Sequence, residues 1–404
     1  MKSERIWNSR FIHLVCLESC LQLGLYMQNP IVSNYAVFLG ASISLAGFLV
    51  GMNAMSSLVF RPISGLASDL IRKKNLLVMS AALYVFASFG CALSDSVALI
   101  GLFRIMQGFA FAFRSVASMS MVSYVVSPSV LGSAMGWFGS AYTITSAIGP
   151  GIGVWIGSIA GYPMTFVTAG IFQFLGLLLA ICFKGSPPVE KQNLPQNLEE
   201  RSKKISLQHL VSQLRPSKLF NTSVLPLSVV AGLSSVAYGS IAAFILMIGE
   251  MRGVEGAYLY FTVYTFVTVI AKPLAGRVND RYGIKSVIVP TLLLAASGMV
   301  ILAFSTTLLS ILIGAICMGC GQGAAYSMLQ AESVRKARKE EVGRAANTFF
   351  IGPDIGMWIG PVISGAILQM FGITVMFLFI AVALIIGLAV FLISRRSHRD
   401  EVPR

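Results

Sequence analysis

Four stretches of the chain, residues 19–60, 115–183, 286–331 and 355–394, contain no Asp, Glu, Lys or Arg. An α-helix rises about 1.5 Å per residue, so roughly 20 apolar residues cross a hydrocarbon core about 30 Å thick. Each uncharged stretch is long enough for more than one crossing. Divided at Gly, Pro, Ser and charged breaks, they predict membrane spans at 12–38, 43–67, 76–94, 98–125, 132–158 and 163–183. A second set is predicted at 221–247, 254–276, 286–305, 308–330, 343–369 and 373–393. The expected fold is an all-α membrane protein of twelve transmembrane helices.

Composition agrees: 404 residues that are 56% hydrophobic and only 11% charged are too apolar for a soluble fold of this size. The basic residues set an orientation, because Lys and Arg collect in cytoplasmic loops. With the N-terminus inside, the inner segments hold Lys2, Arg5, Arg72, Lys73, Lys74 and the basic parts of 184–218, 335–339 and 395–404. The outer loops hold only Arg252. Both termini are therefore expected in the cytoplasm, with the protein multi-pass in the cell membrane. The net charge of +14 is explained by topology and by attraction to anionic lipid, so no nucleic-acid partner is implied. The cysteines (Cys16, Cys20, Cys91, Cys182, Cys317 and Cys320) lie in or beside apolar spans without metal-ligand neighbours, so neither a disulfide framework nor a metal is expected. The first span is too long for a signal-peptide core and reads as a retained helix.

An internal repeat organises the chain. Arg61-Pro62-Ile63-Ser64-Gly65-Leu66-Ala67-Ser68-Asp69 aligns with Lys272-Pro273-Leu274-Ala275-Gly276-Arg277-Val278-Asn279-Asp280 at an offset of 211 residues, and the same offset maps Gly149-Pro150 onto Gly360-Pro361. The expected organisation is a six-helix bundle over 1–183, a Pro-rich, mixed-charge cytoplasmic linker over 184–220, and a second bundle with a cytoplasmic tail over 221–404. Two like-oriented halves joined in this way match the parallel-repeat plan of secondary transporters.

In both copies Gly-x-x-x-Asp stands where a helix meets a short basic loop: Gly65 and Asp69 before Arg72, Lys73 and Lys74, then Gly276 and Asp280 before Arg281, Gly283 and Lys285. Here the chain resembles the major facilitator superfamily, and within it the twelve-helix drug:proton antiporters. The loops are similar to the superfamily's Gly-x-Leu-Ala-Asp-Arg-x-Gly-Arg-Lys signature, with Leu70 and Arg72 as departures in the first copy. The resemblance implies that the loop Asp latches the halves at a helix terminus. Arg104-x-x-Gln107-Gly108 resembles a fourth-helix motif whose arginine is associated with proton transfer. Gly136-x8-Thr145-x3-Gly149-Pro150-x2-Gly153-Val154 resembles the antiporters' fifth-helix motif, from which Thr145 and Val154 depart. The 343–356 segment is similar to the eleventh helix of bacterial exporters of this group.

Removing cytoplasmic and boundary groups leaves Glu18, Arg104, Arg114 and Asp354 within the predicted spans. Ions in hydrocarbon are expensive unless paired, so two acids and two bases suggest two pairs. Helix rise places Glu18 roughly 10 Å, Arg114 roughly 5 Å, Arg104 roughly 20 Å and Asp354 roughly 16 Å from the cytoplasmic face. Depth thus pairs Glu18 with Arg114, and Arg104 with Asp354. Burial favours the neutral form of a carboxyl and a nearby arginine favours its charged form, so solute moving between them can exchange a proton. Gln22, Asn29, Gln107, Tyr142, Tyr238 and Asn347 are polar candidates for a substrate cavity, with Phe349 and Phe350 as its apolar wall.

No Gly-x-x-x-x-Gly-Lys-Ser/Thr sequence occurs, so the energy source is expected to be a gradient. His13 is the only histidine in a span, which leaves no catalytic cluster for an enzyme. The expectation is a monomeric, cofactor-free bacterial exporter of amphipathic organic compounds or drugs by proton antiport. Its partners would be a small-molecule substrate, protons and membrane lipids. The alternatives are a dedicated exporter of an anionic metabolite such as a metallophore, a lipid flippase, and a transporter-like sensor.

Overall fold

A computed structural model describes residues 7–127, 131–183, 222–335 and 342–397. The described residues form helices without a β-strand. In the first half these are α1 (Ser9–Phe38), α2 (Ile43–Leu70), α3 (Lys73–Ala92), α4 (Val97–Val125), α5 (Leu131–Ala160) and α6 (Tyr162–Cys182). After a short turn of 3-10 helix come α7 (Leu225–Met251), α8 (Leu259–Tyr282) and α9 (Lys285–Ala303). One further rod consists of α10 (Leu308–Met318), a π turn (Gly319–Gly323) and α11 (Ala324–Arg335). The last helix, α12 (Val342–Ser397), is broken at Gly372, whose φ of 82° no helix accommodates. Ten stretches of described residues are long and apolar enough to cross a membrane. With α1 added and the last stretch divided at Gly372, the arrangement is consistent with twelve crossings. The linker expected at 184–220 and the C-terminal tail beyond 397 lie outside the described residues.

Local chemistry sets several helix ends. Asn8 caps α1 by accepting the Phe11 amide at 2.8 Å, while its own amide donates to the Val125 carbonyl at the end of α4, also at 2.8 Å. Ser42, Ser96 and Thr307 cap α2, α4 and α10 in the same way. The two signature loops differ for a visible reason. Gly283 follows α8 with φ of 81°, a left-handed conformation that favours glycine. Its counterpart Arg72 has φ of −56° and starts α3, so the first copy turns without the glycine it lacks.

The duplication is also spatial. In the first half Gly149 and Gly153 of α5 sit against Tyr26 and Met27 of α1; in the second, Gly360 of α12 sits against Val236 of α7, beside a Ser240–Ser364 hydrogen bond. Such close approach of backbones depends on small residues where two helices cross. A methyl at Gly153 would strike the Met27 carbonyl, and one at Gly356 the Gly232 carbonyl. Gly153→Ala and Gly356→Ala are therefore expected to destabilise the protein by about 1–3 kcal/mol, the usual penalty of overpacking. Gly139→Ala meets open space and should be neutral or slightly stabilising. Melting temperatures of the three purified variants decide the matter, and equal values would mean these glycines are not contact-limited.

The halves meet along α1–α7, α2–α12 and α5–α8. At the end of the bundle that holds the α1–α2 turn, Ser33 donates to the Ala243 carbonyl, Asn34 to Glu250 at 3.0 Å, and the Ser44 amide to Gln369 at 3.0 Å. Phe244 of α7 reaches between Gly47 of α2 and Gly365 of α12, and Pro361 presses its carbonyl on Gly47. That end is closed by direct packing between the halves.

Candidate functional site

Among the described residues, three polar constructions in the interior hold the charged candidates. The first lies between α1 and α4, where the Arg114 guanidinium pairs with Glu18 and the Ser118 hydroxyl donates to the other carboxylate oxygen. The guanidinium also lies 5.8 Å from the Tyr84 ring and 5.3 Å from that of Phe111. Aromatic faces add to the attraction of a desolvated cation. This is the pair that depth alone predicted, and it lies wholly inside the first half.

The second is a chain of amides around Arg104. Its guanidinium donates to Gln107 at 3.0 Å, to Asn29 at 3.3 Å, and to the α2 carbonyls of Val50 at 3.0 Å and Leu49 at 3.4 Å. Gln107 then donates to Gln28 at 2.7 Å, Gln28 to Ser88 at 2.8 Å, and Ser88 to Gln173 at 2.6 Å. Arg104 is therefore held by dipoles, and no carboxylate pairs with it among the described residues. The expected Arg104–Asp354 pair does not form. Similar depth places two groups at one level without placing them on facing sides, and Arg104 is turned into its own half.

The third construction joins the halves. Asp354 of α12 takes two bonds from Arg61 of α2, the longer at 3.0 Å, and the Arg61 guanidinium lies 5.6 Å from the Phe350 ring. Phe349 is buried against Tyr326 and Phe350. Sequence reasoning missed Arg61 because it ends an uncharged run and reads as a boundary, although α2 continues to Leu70. Lys272, its counterpart in the repeat, was missed for the same reason and sits well inside α8. The signal that could have found both is the repeat itself, which aligns a cation with a cation.

The remaining candidates are placed as follows. Gln22 is buried, its side-chain carbonyl without a partner among the described residues. Tyr142 meets Tyr26 edge-on at 5.6 Å, and Tyr238 lies 5.5 Å from Tyr264 of α8, whose hydroxyl donates to Gln322 in the π turn. Asn347 lies on α12, with its side-chain surroundings outside the described residues. The same holds for the surroundings of Gly65 and of the Asp69 side chain in the last turns of α2. Asp280 and Arg281 are exposed at the end of α8, Arg281 beside Tyr282, and Lys74 donates to the Ile181 carbonyl of α6 at 2.7 Å. An apolar groove of about 420 Å³ opens between α1, α5 and α6 and includes Trp7, Leu23, Trp137 and Ile148. It contains none of the candidate residues and no charged group. No group of His, Cys, Asp and Glu among the described residues is arranged to hold a metal.

Comparison with known proteins fits this construction. The sequence profile of the Major Facilitator Superfamily matches residues 14–261 and 227–404. An uncharacterized MFS-type transporter of Methanocaldococcus jannaschii is 26% identical over 92% of this chain and 94% of its own. Multidrug resistance protein 2 of Bacillus subtilis is 23% identical over 94% and 93%, and the multi-drug resistance efflux pump PmrA of Streptococcus pneumoniae is 23% identical over 81% and 80%. Among solved structures, a peptide transporter POT in complex with sulfate superposes with a TM-score of 0.79 over 96% of this chain and 94% of its own at 12% identity. A bacterial homologue of the human lysosomal transporter Spinster, in an inward-facing and occupied conformation, gives 0.78 over 96% of each chain at 13% identity. At those identities the structures speak for the fold alone. A profile covering the chain, a duplicated bundle of apolar helices and polar clusters buried within it lead to one statement: the chain belongs to the Major Facilitator Superfamily of membrane transporters.

Proposed function

We propose that the protein exports amphipathic organic compounds across the cell membrane in exchange for protons, by alternating access of two six-helix halves, 1–183 and 221–404, joined by the cytoplasmic linker 184–220. The observation that carries this reading is a pair of acid–arginine contacts inside the bundle, Glu18–Arg114 buried in one half and Asp354–Arg61 half-buried across the two. A carboxylate in such a site either holds its arginine or holds a proton, so protonation and release of the cation are the same event. At Asp354 that event separates α2 from α12, which couples proton uptake to movement of the halves. The loops at Asp69 and Asp280 act as latches at the cytoplasmic ends of α2 and α8. The multidrug names borne by two relatives support the efflux direction and the amphipathic substrate class.

A proteoliposome experiment tests the reading. With an imposed pH gradient, a fluorescent amphipathic dye should move against its own gradient while protons flow the opposite way, and collapse of the gradient should stop both. Asp354→Asn should lose uphill movement yet keep downhill exchange. Gradient-independent flux through the unmodified protein would sink proton antiport. A second reading, export of a dedicated anionic metabolite, is favoured by one observation. Among the described residues, the charges held toward the middle of the helices are Arg61, Arg104, Arg114 and Lys272 against only Glu18 and Asp354.

A further inference from the structure

The repeat that aligns Arg61 with Lys272 also aligns their surroundings. Arg61 of α2 crosses the α2–α12 contact between the halves and finds Asp354. The equivalent contact is α5–α8, and the residue of α5 equivalent to Asp354 is Thr143. Thr143 has no charge, and its hydroxyl is spent on the Gly139 carbonyl of its own helix at 3.0 Å.

The height of Lys272 can be read from packing. Gly151 of α5 faces the Thr262 hydroxyl of α8 at 4.0 Å. The two helices run antiparallel, so ten residues further along α8 correspond to about ten residues back along α5, and Lys272 lies level with about residue 141. That is the level of Tyr142, which is 41% exposed and turned toward Tyr26. On the helix, Lys272 shares a face with the buried Thr265, Thr268 and Ala275 and is itself partly buried, so it points into protein and away from lipid.

No hydrogen bond or ion pair holds its ammonium among the described residues. An ammonium kept in a membrane span without a carboxylate is costly, and a charge retained there at a cost marks a functional site. Arg104 is held by amides and carbonyls, and the other two arginines have acids of their own. Among the described residues Lys272 is thus the mid-helix cation whose donors are all left for a ligand, at a contact between the halves.

We infer that Lys272 is the anion-binding residue of the transport site and takes the carboxylate of an amphipathic organic substrate, with Tyr142 at its level against the apolar part. The inference rests on the transport reading above and specifies its substrate class. Three matched probes test it on the purified full-length protein: sodium 2-naphthoate, neutral 2-naphthamide and the 2-naphthylmethylammonium cation, each titrated while melting temperature is followed. Naphthoate should stabilise the unmodified protein saturably and more strongly than the other two. Lys272→Met removes the charge and keeps an unbranched apolar stem, so its half-saturation for naphthoate should rise about tenfold or more, while the response to naphthamide stays unchanged. Lys272→Arg should restore preference for the anion, and Lys272→Gln gives a second neutral variant should the methionine one fail to fold. Equal naphthoate binding in the neutral variants, or no preference for naphthoate in the unmodified protein, overturns the assignment. Naphthoate binding through Lys272 with no proton-driven flux of any probe would instead overturn the transport reading, so the two failures are separable.

Discussion

Glu18→Gln is expected to stop proton-driven export and, at the same time, to lower the stability of the purified protein. The first effect follows from chemistry: an amide cannot release a proton, so net exchange through this site ends while downhill movement of solute persists. The second follows from burial. Side-chain exposures of 7% for Glu18 and 2% for Arg114 leave no water to replace the lost carboxylate. An arginine stranded in this way costs about 3–5 kcal/mol. The two effects are separated by Glu18→Gln combined with Arg114→Met, which removes the stranded charge. Stability should return in the double variant and uphill transport should not. If both return, the pair is architectural and the proton travels elsewhere.

Asp354→Asn and Arg61→Met are expected to act on the balance of conformations more than on folding. Their side chains are 14% and 23% exposed, so water can reach either group when its partner leaves. This pair crosses between the halves, whereas Glu18–Arg114 does not. Breaking it removes a contact available only when α2 and α12 touch at this level, which should displace the equilibrium about tenfold or more toward states in which they are apart. Cysteines placed along one face of α2 and α12 would report the change as faster labelling by a membrane-impermeant thiol reagent. The charge-exchanged variant, Arg61→Asp with Asp354→Arg, should return the labelling rate toward the original. Rates indifferent to all three variants would remove the pair from the gating cycle.

Most of the scaffold was legible in the sequence because the bilayer permits few solutions. Backbone groups in hydrocarbon must satisfy one another, so an uncharged run of the right length becomes a helix. The predicted 43–67, 98–125 and 163–183 differ from α2, α4 and α6 only by a few residues at their ends. Helix α8 begins at Leu259, later than the predicted 254, because Gly253 and Gly256, both with positive φ, occupy the turn that separates it from α7. The repeat fixed which glycine of α5 matches which of α12, and both make the expected close contacts. The site was legible only along one axis. Counting residues gives height, and height correctly joined Glu18 to Arg114, whose helices are neighbours. It wrongly joined Arg104 to Asp354, because the direction in which a side chain leaves its helix depends on packing absent from a list of depths. Arg61 escaped because a cation at the edge of an apolar run looks like a topology signal even when the helix continues past it.

The π turn at Gly319–Gly323 changes how the wall of the second half must be mapped. Its three glycines let the wide turn press on α8 and α9, and Thr268 donates to the freed Gly319 carbonyl. One residue more than an α turn shifts the angular phase of everything after it by about 100°. Side chains of α11 therefore do not lie on the helical wheel drawn through α10. Tyr326 looks in a direction that an unbroken helix starting at Leu308 would assign to a different residue. Its counterpart α4 runs from Val97 to Val125 without such a turn, so the same wheel serves there from end to end. A residue-by-residue accessibility scan of the two rods should show one continuous 3.6-residue period across 97–125 and two out-of-step periods across 308–335, with the slip falling on the glycines.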